Sequence, residues 1–136
     1  THTAGFGHHG LNADLGRFHA RAGLPPLAEC REATLLRSPL LFEPGERWEY
    51  GTSLDWAGRA VERASGLSLE AYLRRHVLGP LGMADTGFLL GPDQRARLAS
   101  LHRRQPVGSL APIAFGMPQE PEFFMGGGGL YSTASD

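Results

Sequence analysis

The 136-residue chain carries a net charge of −1, and all 13 of its basic residues are arginine. That balance points to neither nucleic acid nor an anionic membrane surface as a partner. Its single cysteine, Cys30, excludes an intrachain disulfide, and no apolar run is long enough to span a bilayer.

Thr1 to Gly10 is rich in Gly and His. His2, His8 and His9 have neither a zinc-protease nor a Cys/His spacing and no acidic residue among them, so no metal site is assigned. Leu11 to Ala22 reads as a first helix, with Leu11, Leu15, Phe18 and Ala22 on its apolar face, ended by Gly23 and Pro25-Pro26. Leu27 to Arg37 reads as a second helix with Leu27, Cys30, Thr34 and Leu35 inward, stopped by Ser38-Pro39. Leu40-Leu41-Phe42 is a short core run.

The most informative stretch is Pro44 to Gly66, PGERWEYGTSLDWAGRAVERASG. Pro44-Gly45 is a turn signal. Trp48-Glu49-Tyr50 alternates as a short extended segment, and Gly51 breaks it. Thr52 and Ser53 are N-cap residues, with Asp55 three places after Thr52 as in a capping box. Leu54, Ala57, Val61 and Ala64 form one apolar helical face, and Gly66 closes the helix. Tyr50 therefore stands two residues before a helix N-terminus. On local grounds it reads as a core aromatic, though the position also suits a catalytic phenol. Ionising a phenol of ordinary pKa at neutral pH costs about 4 kcal/mol, so a cation would have to assist it.

Ser68 caps a helix from Leu69 to Leu78, with Leu69, Tyr72, Leu73 and Val77 inward and Arg74, Arg75 and His76 mostly outward. Pro80 to Met83 is a turn, and Pro92 to Leu98 a short helix or turn. Ala99–Arg104 and Leu110–Phe115 are expected to pair as a hairpin across Pro106–Ser109. Met117 to Phe124 is irregular, with Phe123, Phe124 and Met125 either buried or walling a cleft. Gly126 to Gly129 is no phosphate loop, because no Lys-Ser/Thr follows, and no G-x-S-x-G elbow supports an HGGG oxyanion loop. Ser132 or Thr133 is expected to cap a helix begun at Ala134.

Four ordered segments resemble the penicillin-recognising serine hydrolases of the class C β-lactamase type, a group that includes D-Ala-D-Ala carboxypeptidases, family VIII esterases and transesterases. Pro44 to Trp56 resembles their tyrosine motif. Thr1 to Phe6 resembles the T-H-T-S-G segment, Leu78 to Thr86 the P-L-G-M-x-D-T loop, and Gly126 to Asp136 the G-G-G-L-x-S-T-x-x-D segment. The resemblance implies a mostly α, helical subdomain of an α+β fold, with at most a small hairpin. It also implies a nucleophilic Ser in S-x-x-K and a third motif, K-T-G, H-x-G or W-x-G. A chain without lysine holds no S-x-x-K, and no third motif follows Tyr131. Residues 1–136 are thus expected to be a single helical segment internal to a longer hydrolase, inactive alone.

The same resemblance implies that Tyr50 is catalytic, taking the proton of the serine, and that Thr52, Gly128 and Gly129 lie on the substrate side. Thr52 stands where β-lactamases carry Asn, which tilts the expectation toward an esterase or transesterase acting on a small-molecule ester rather than a β-lactam. No cofactor is implied. A helical layer without its sheet is expected to expose apolar surface and to dimerise or swap. A non-catalytic helical binding module derived from the family is the alternative, and a His-rich metal-binding domain a third possibility. The compartment, cytoplasmic or secreted, is left open.

Overall fold

Capping chemistry sets most of the helix ends. The computed structural model describes residues 1–136. Helix α1 spans Ala13–Ala22, and the Asn12 side chain accepts the Leu15 N–H at its start. It therefore begins later than expected, and Leu11 lies outside it, exposed. The residue that α1 buries, together with Leu15, is His19.

The expected second helix is broken. Leu27–Glu29 is a 3₁₀ turn and α2 spans only Glu32–Leu36, because Cys30 takes the left-handed conformation (φ 52°). That break lets a distant segment close on it. The Cys30 carbonyl accepts the Glu122 N–H, and the Glu122 carboxylate takes the Glu32 N–H and pairs with Arg31 at 3.0 Å. Phe123 is consequently core, packed with Leu27, Cys30 and Leu35, and Trp56, Met117 and Met125 border the cluster. It walls no cleft.

Helix α3 spans Ser53–Ser65 and ends at Gly66 (φ 72°), where the left-handed turn favours glycine. Its burial is not what the apolar periodicity predicts. Asp55 and Gly58 are buried, whereas Leu54 and Ala57 are exposed. Thr52 makes no side-chain capping bond. Arg59 joins α3 to α2 by pairing with Glu32 at 2.6 Å and Glu62 at 2.8 Å. The other oxygen of Glu62 accepts the Leu69 N–H, next to the Ser68 cap of α4, Leu69–Leu73.

Instead of continuing as α-helix to Leu78, the backbone widens into a π turn at Arg74–Leu78, which leaves Val77 exposed and Leu78 buried. Arg74 is not outward. It pairs with Glu70 and donates to the Met83 and Thr86 carbonyls, and so ties down the Gly79–Thr86 loop. Helix α5 is Pro92–Ala96. Strands β1, Leu101–Arg104, and β2, Leu110–Ile113, form the one sheet, an antiparallel hairpin in register Leu101↔Ile113 to Arg104↔Leu110.

The end of the chain returns to the Asp85–Gly87 loop. Gly87 pairs with Tyr131 in a backbone bridge, Thr86 meets Ser132 at 2.7 Å, and the Asp136 carboxylate accepts the Asp85 N–H and the Thr86 hydroxyl. The Thr133 hydroxyl accepts the Asp136 N–H, the bond an N-cap makes. The architecture is mostly α with a small hairpin, as expected. Only 18 of 136 residues are buried, so the interior is small and the outer face of α3 stays uncovered.

Candidate functional site

Tyr50 is held by its neighbours in sequence rather than by its own burial. The chain from Leu41 to Gly51 runs beside the first residues: Leu41 N–H bonds to Gly5 O, Gly45 N–H to Thr3 O and Glu49 N–H to His2 O, at 2.7–2.9 Å. The Glu49 carboxylate also accepts from Asn12, the cap of α1, at 2.7 Å. On the other side, Gly51 lies so close to the crossing chain that a methyl group there would sit 2.1 Å from the Phe6 carbonyl oxygen. Between these anchors the Tyr50 side chain is 46% exposed. Within these residues Tyr50 is thus not a core aromatic; its ring packs against His2 and His8 at the surface.

His2 flanks the phenol, with ring centroids 4.6 Å apart, and its backbone is left-handed (φ 59°), an uncommon state for a residue with a side chain. Its Nδ1 accepts the Gly51 N–H at 3.3 Å, so the proton of the neutral ring lies on Nε2. His8 lies beyond, 6.3 Å from Tyr50 between centroids. His8, His9 and the buried His19 continue as a stack at 4.9 and 4.8 Å. Burial holds the His9 and His19 pKa values down, and the neighbouring imidazoles add to the effect. The rings stack face to face rather than pointing their nitrogens at a common centre.

The other sequence-derived candidates differ in burial. Thr52 is buried at the start of α3, while Gly128 is exposed and Gly129 half-buried. Gly129 has φ 87° and could not take a side chain without strain, whereas a methyl group at Gly128 would meet only the Met125 terminal methyl at 3.9 Å. The glycine segment crosses the first turn of α3 at close range, since a methyl group at Gly126 would lie 2.1 Å from the Leu54 carbonyl oxygen. There the Gly127 N–H donates to Asp55 at 3.1 Å. Tyr50 thus stands just before α3, and Gly126-Gly127, which lead into Gly128-Gly129, lie on its first turn. Asp55, the link between them, is absent from the sequence-derived set, because in sequence it reads as an ordinary first-turn acid.

Beside this crossing, Leu54, Ala57 and Val61 of α3, Leu73 of α4, Phe88 and Leu130 line an open apolar groove floored by the glycines. A flexible acyl chain or an apolar ring can be desolvated there, next to backbone amides.

The chain belongs to the beta-lactamase family: the Beta-lactamase family model matches residues 1–136. Among its relatives, lovastatin esterase of Penicillium rubens is 34% identical across the whole chain, which covers 36% of that protein. Monacolin J acid methylbutanoyltransferase of Aspergillus terreus is 40% identical over 81% of this chain and 27% of its own length. A mutant of simvastatin synthase from Aspergillus terreus superposes with a TM-score of 0.78 at 34% identity, over 98% of this chain and 31% of that one. The fold is therefore a mostly helical part of the β-lactamase-type fold, and the chain spans about a third of the length of the relatives it matches.

Proposed function

We propose that this chain is the tyrosine-bearing part of a longer serine hydrolase or acyltransferase that cleaves or transfers the acyl group of a small-molecule carboxylic ester. The observation that carries this reading is the placement of Tyr50: exposed, anchored on both sides, flanked by His2, and just before the helix whose Leu54, Ala57 and Val61 line an apolar groove. The esterase and acyltransferase relatives support it, as does Thr52 in place of an amide-bearing residue.

Residues outside this chain supply the nucleophilic serine and its lysine. Tyr50, its phenol favoured in the ionised form by that lysine, accepts the serine proton as the serine oxygen bonds to the acyl carbon. The tetrahedral intermediate collapses, the C–O bond to the alcohol breaks, and the phenol returns the proton to the departing alkoxide. Water or an acceptor alcohol then attacks the acyl-enzyme by the reverse relay. This chain contributes the base and an apolar wall.

The test is Tyr50→Phe in the full-length enzyme with p-nitrophenyl butyrate as acyl donor. We expect kcat to fall by about 10²–10⁴, the usual share of a general base. A fall of less than about threefold reduces Tyr50 to a structural residue. Nitrocefin turnover exceeding ester turnover overturns the ester assignment.

A further inference from the structure

Asp55 is a buried acid on the first turn of α3. It is 2% exposed, and none of the ion pairs in the chain includes it. The hydrogen bond its side chain makes to another segment comes from a single backbone amide, that of Gly127, 72 positions away. Burying a carboxylate against neutral backbone donors alone is unfavourable compared with burying an apolar side chain of similar size. Burial accordingly pushes the Asp55 pKa up, opposed by the Gly127 N–H and by His8 and His2.

What the carboxylate provides is a fixed crossing. The backbone of Gly126 lies against Leu54 and Gly58, and a methyl group at Gly127 would stand 3.4 Å from both Asp55 oxygens. Three glycines and one acid thus let an irregular segment lie directly on the first turn of α3. Contact between bare backbones allows sliding, because no side chain interdigitates. The Asp55–Gly127 bond sets the register. Tyr50 is joined to the same turn through Gly51 and Thr52.

We propose that Asp55 is a positioning residue. It pins the Gly126–Gly129 segment to the helix headed by Tyr50, so that the phenol and the Gly128-Gly129 backbone face one bound ester at a set separation. This rests on the general-base reading of Tyr50 and extends it to how the two halves of the site are held.

The experiment is a double-mutant cycle in the full-length enzyme, with rates normalised to titrated acyl-enzyme sites so that loss of folded protein does not count. Asp55→Ala should lower kcat by about 10–100-fold, the effect of a misplacement of about 1 Å. Asp55→Asn keeps an oxygen acceptor for the Gly127 N–H and should recover kcat to within about threefold. In the Tyr50→Phe background, Asp55→Ala should cost less than about threefold more, because it acts through the base already removed. Full additivity, an Asn variant as slow as the Ala variant, or an Ala variant with lowered Tm and unchanged kcat each overturns the proposal. If Asp55→Ala does not fold, Asp55→Ser, whose hydroxyl is too short to reach Gly127, takes its place.

If Tyr50→Phe alone leaves kcat unchanged, the general-base reading fails separately. Hydrogen exchange of the Gly127 amide then decides whether Asp55 holds the segment. Exchange about tenfold faster in Asp55→Ala supports the pin, and unchanged exchange removes it.

Discussion

Replacing Gly126 with alanine places a methyl group 2.1 Å from the Leu54 carbonyl oxygen, 2.9 Å from its carbon and 3.2 Å from the Gly58 nitrogen. These are the acceptor and donor four residues apart in the ladder of α3, so no side-chain rotation relieves the clash. Ordinary contact requires the segment and the helix to part by about 1 Å, which also stretches the Asp55–Gly127 bond. Insertions that rotamers cannot absorb cost about 1–3 kcal/mol or more. We expect about 3 kcal/mol, and for a chain of this size a Tm lower by about 10 °C.

Calorimetric melts of Gly126→Ala and Gly128→Ala side by side provide the test. At Gly128 the added methyl group meets only one flexible methyl at 3.9 Å, so Tm should stay within about 2 °C of the parent. In the full-length enzyme Gly128→Ala should instead raise KM, because the methyl group projects into the groove. A Gly126→Ala melt within about 2 °C of the parent refutes the close crossing of α3 and the glycine segment.

Gly51→Ala should separate the tyrosine loop from Phe6, where a methyl group would stand 2.1 Å from the carbonyl oxygen, and should lower Tm by a similar amount, about 10 °C. The lowered pKa values of His9 and His19 mean that the unfolded chain binds protons more readily than the folded one. Their contribution to stability is complete above the ordinary imidazole pKa of about 6.5 and is lost as pH falls through the lower folded values. Tm should therefore drop as pH falls below about 6.5, and His9→Gln should flatten that drop in a pH series of melts. Asp55 has the opposite sign: its raised pKa gives stability that is complete below the ordinary carboxylate pKa of about 4 and is lost as pH rises through the folded value. The 136-residue chain by itself should turn over neither p-nitrophenyl butyrate nor nitrocefin, since it has no lysine for an S-x-x-K motif. With the outer face of α3 uncovered, it should also show concentration-dependent dimerisation by sedimentation, reduced in Leu54→Glu.

Local chemistry was legible wherever a feature depends on adjacent residues. The Pro44-Gly45 turn, the end of α3 at Gly66, the Ser68 cap and the hairpin across Pro106–Ser109 all follow from neighbours in sequence. Features set by distant partners were not legible. Cys30 breaks a helix that its flanking residues favour, because Glu122 and Phe123 close on the break. Periodicity assigned Leu54, Ala57, Val61 and Ala64 to the core, yet the segment that crosses α3 is glycine-rich and presses on the Asp55–Gly58 side. Tyr50 was legible as a candidate only through the resemblance of its motif, since the local pattern alone pointed to a buried aromatic. The role of Asp55, and the seat of His2 against the phenol, were not legible because their partners lie at Gly127 and at Tyr50-Gly51.

The hairpin has a consequence for tolerance to change. β1 is exposed along its whole length, and β2 is only half-covered at alternate positions. The turn between them closes through bonds of its own, Gln105 with Ser109 and Gly108 with Gln105. Neither strand contributes to the buried cluster around Leu27 and Phe123. Residues 105–109 therefore form a port at which the chain can be lengthened, cut or fused to another domain with little strain reaching Tyr50. A reporter inserted there would leave the two anchored sides of the tyrosine undisturbed.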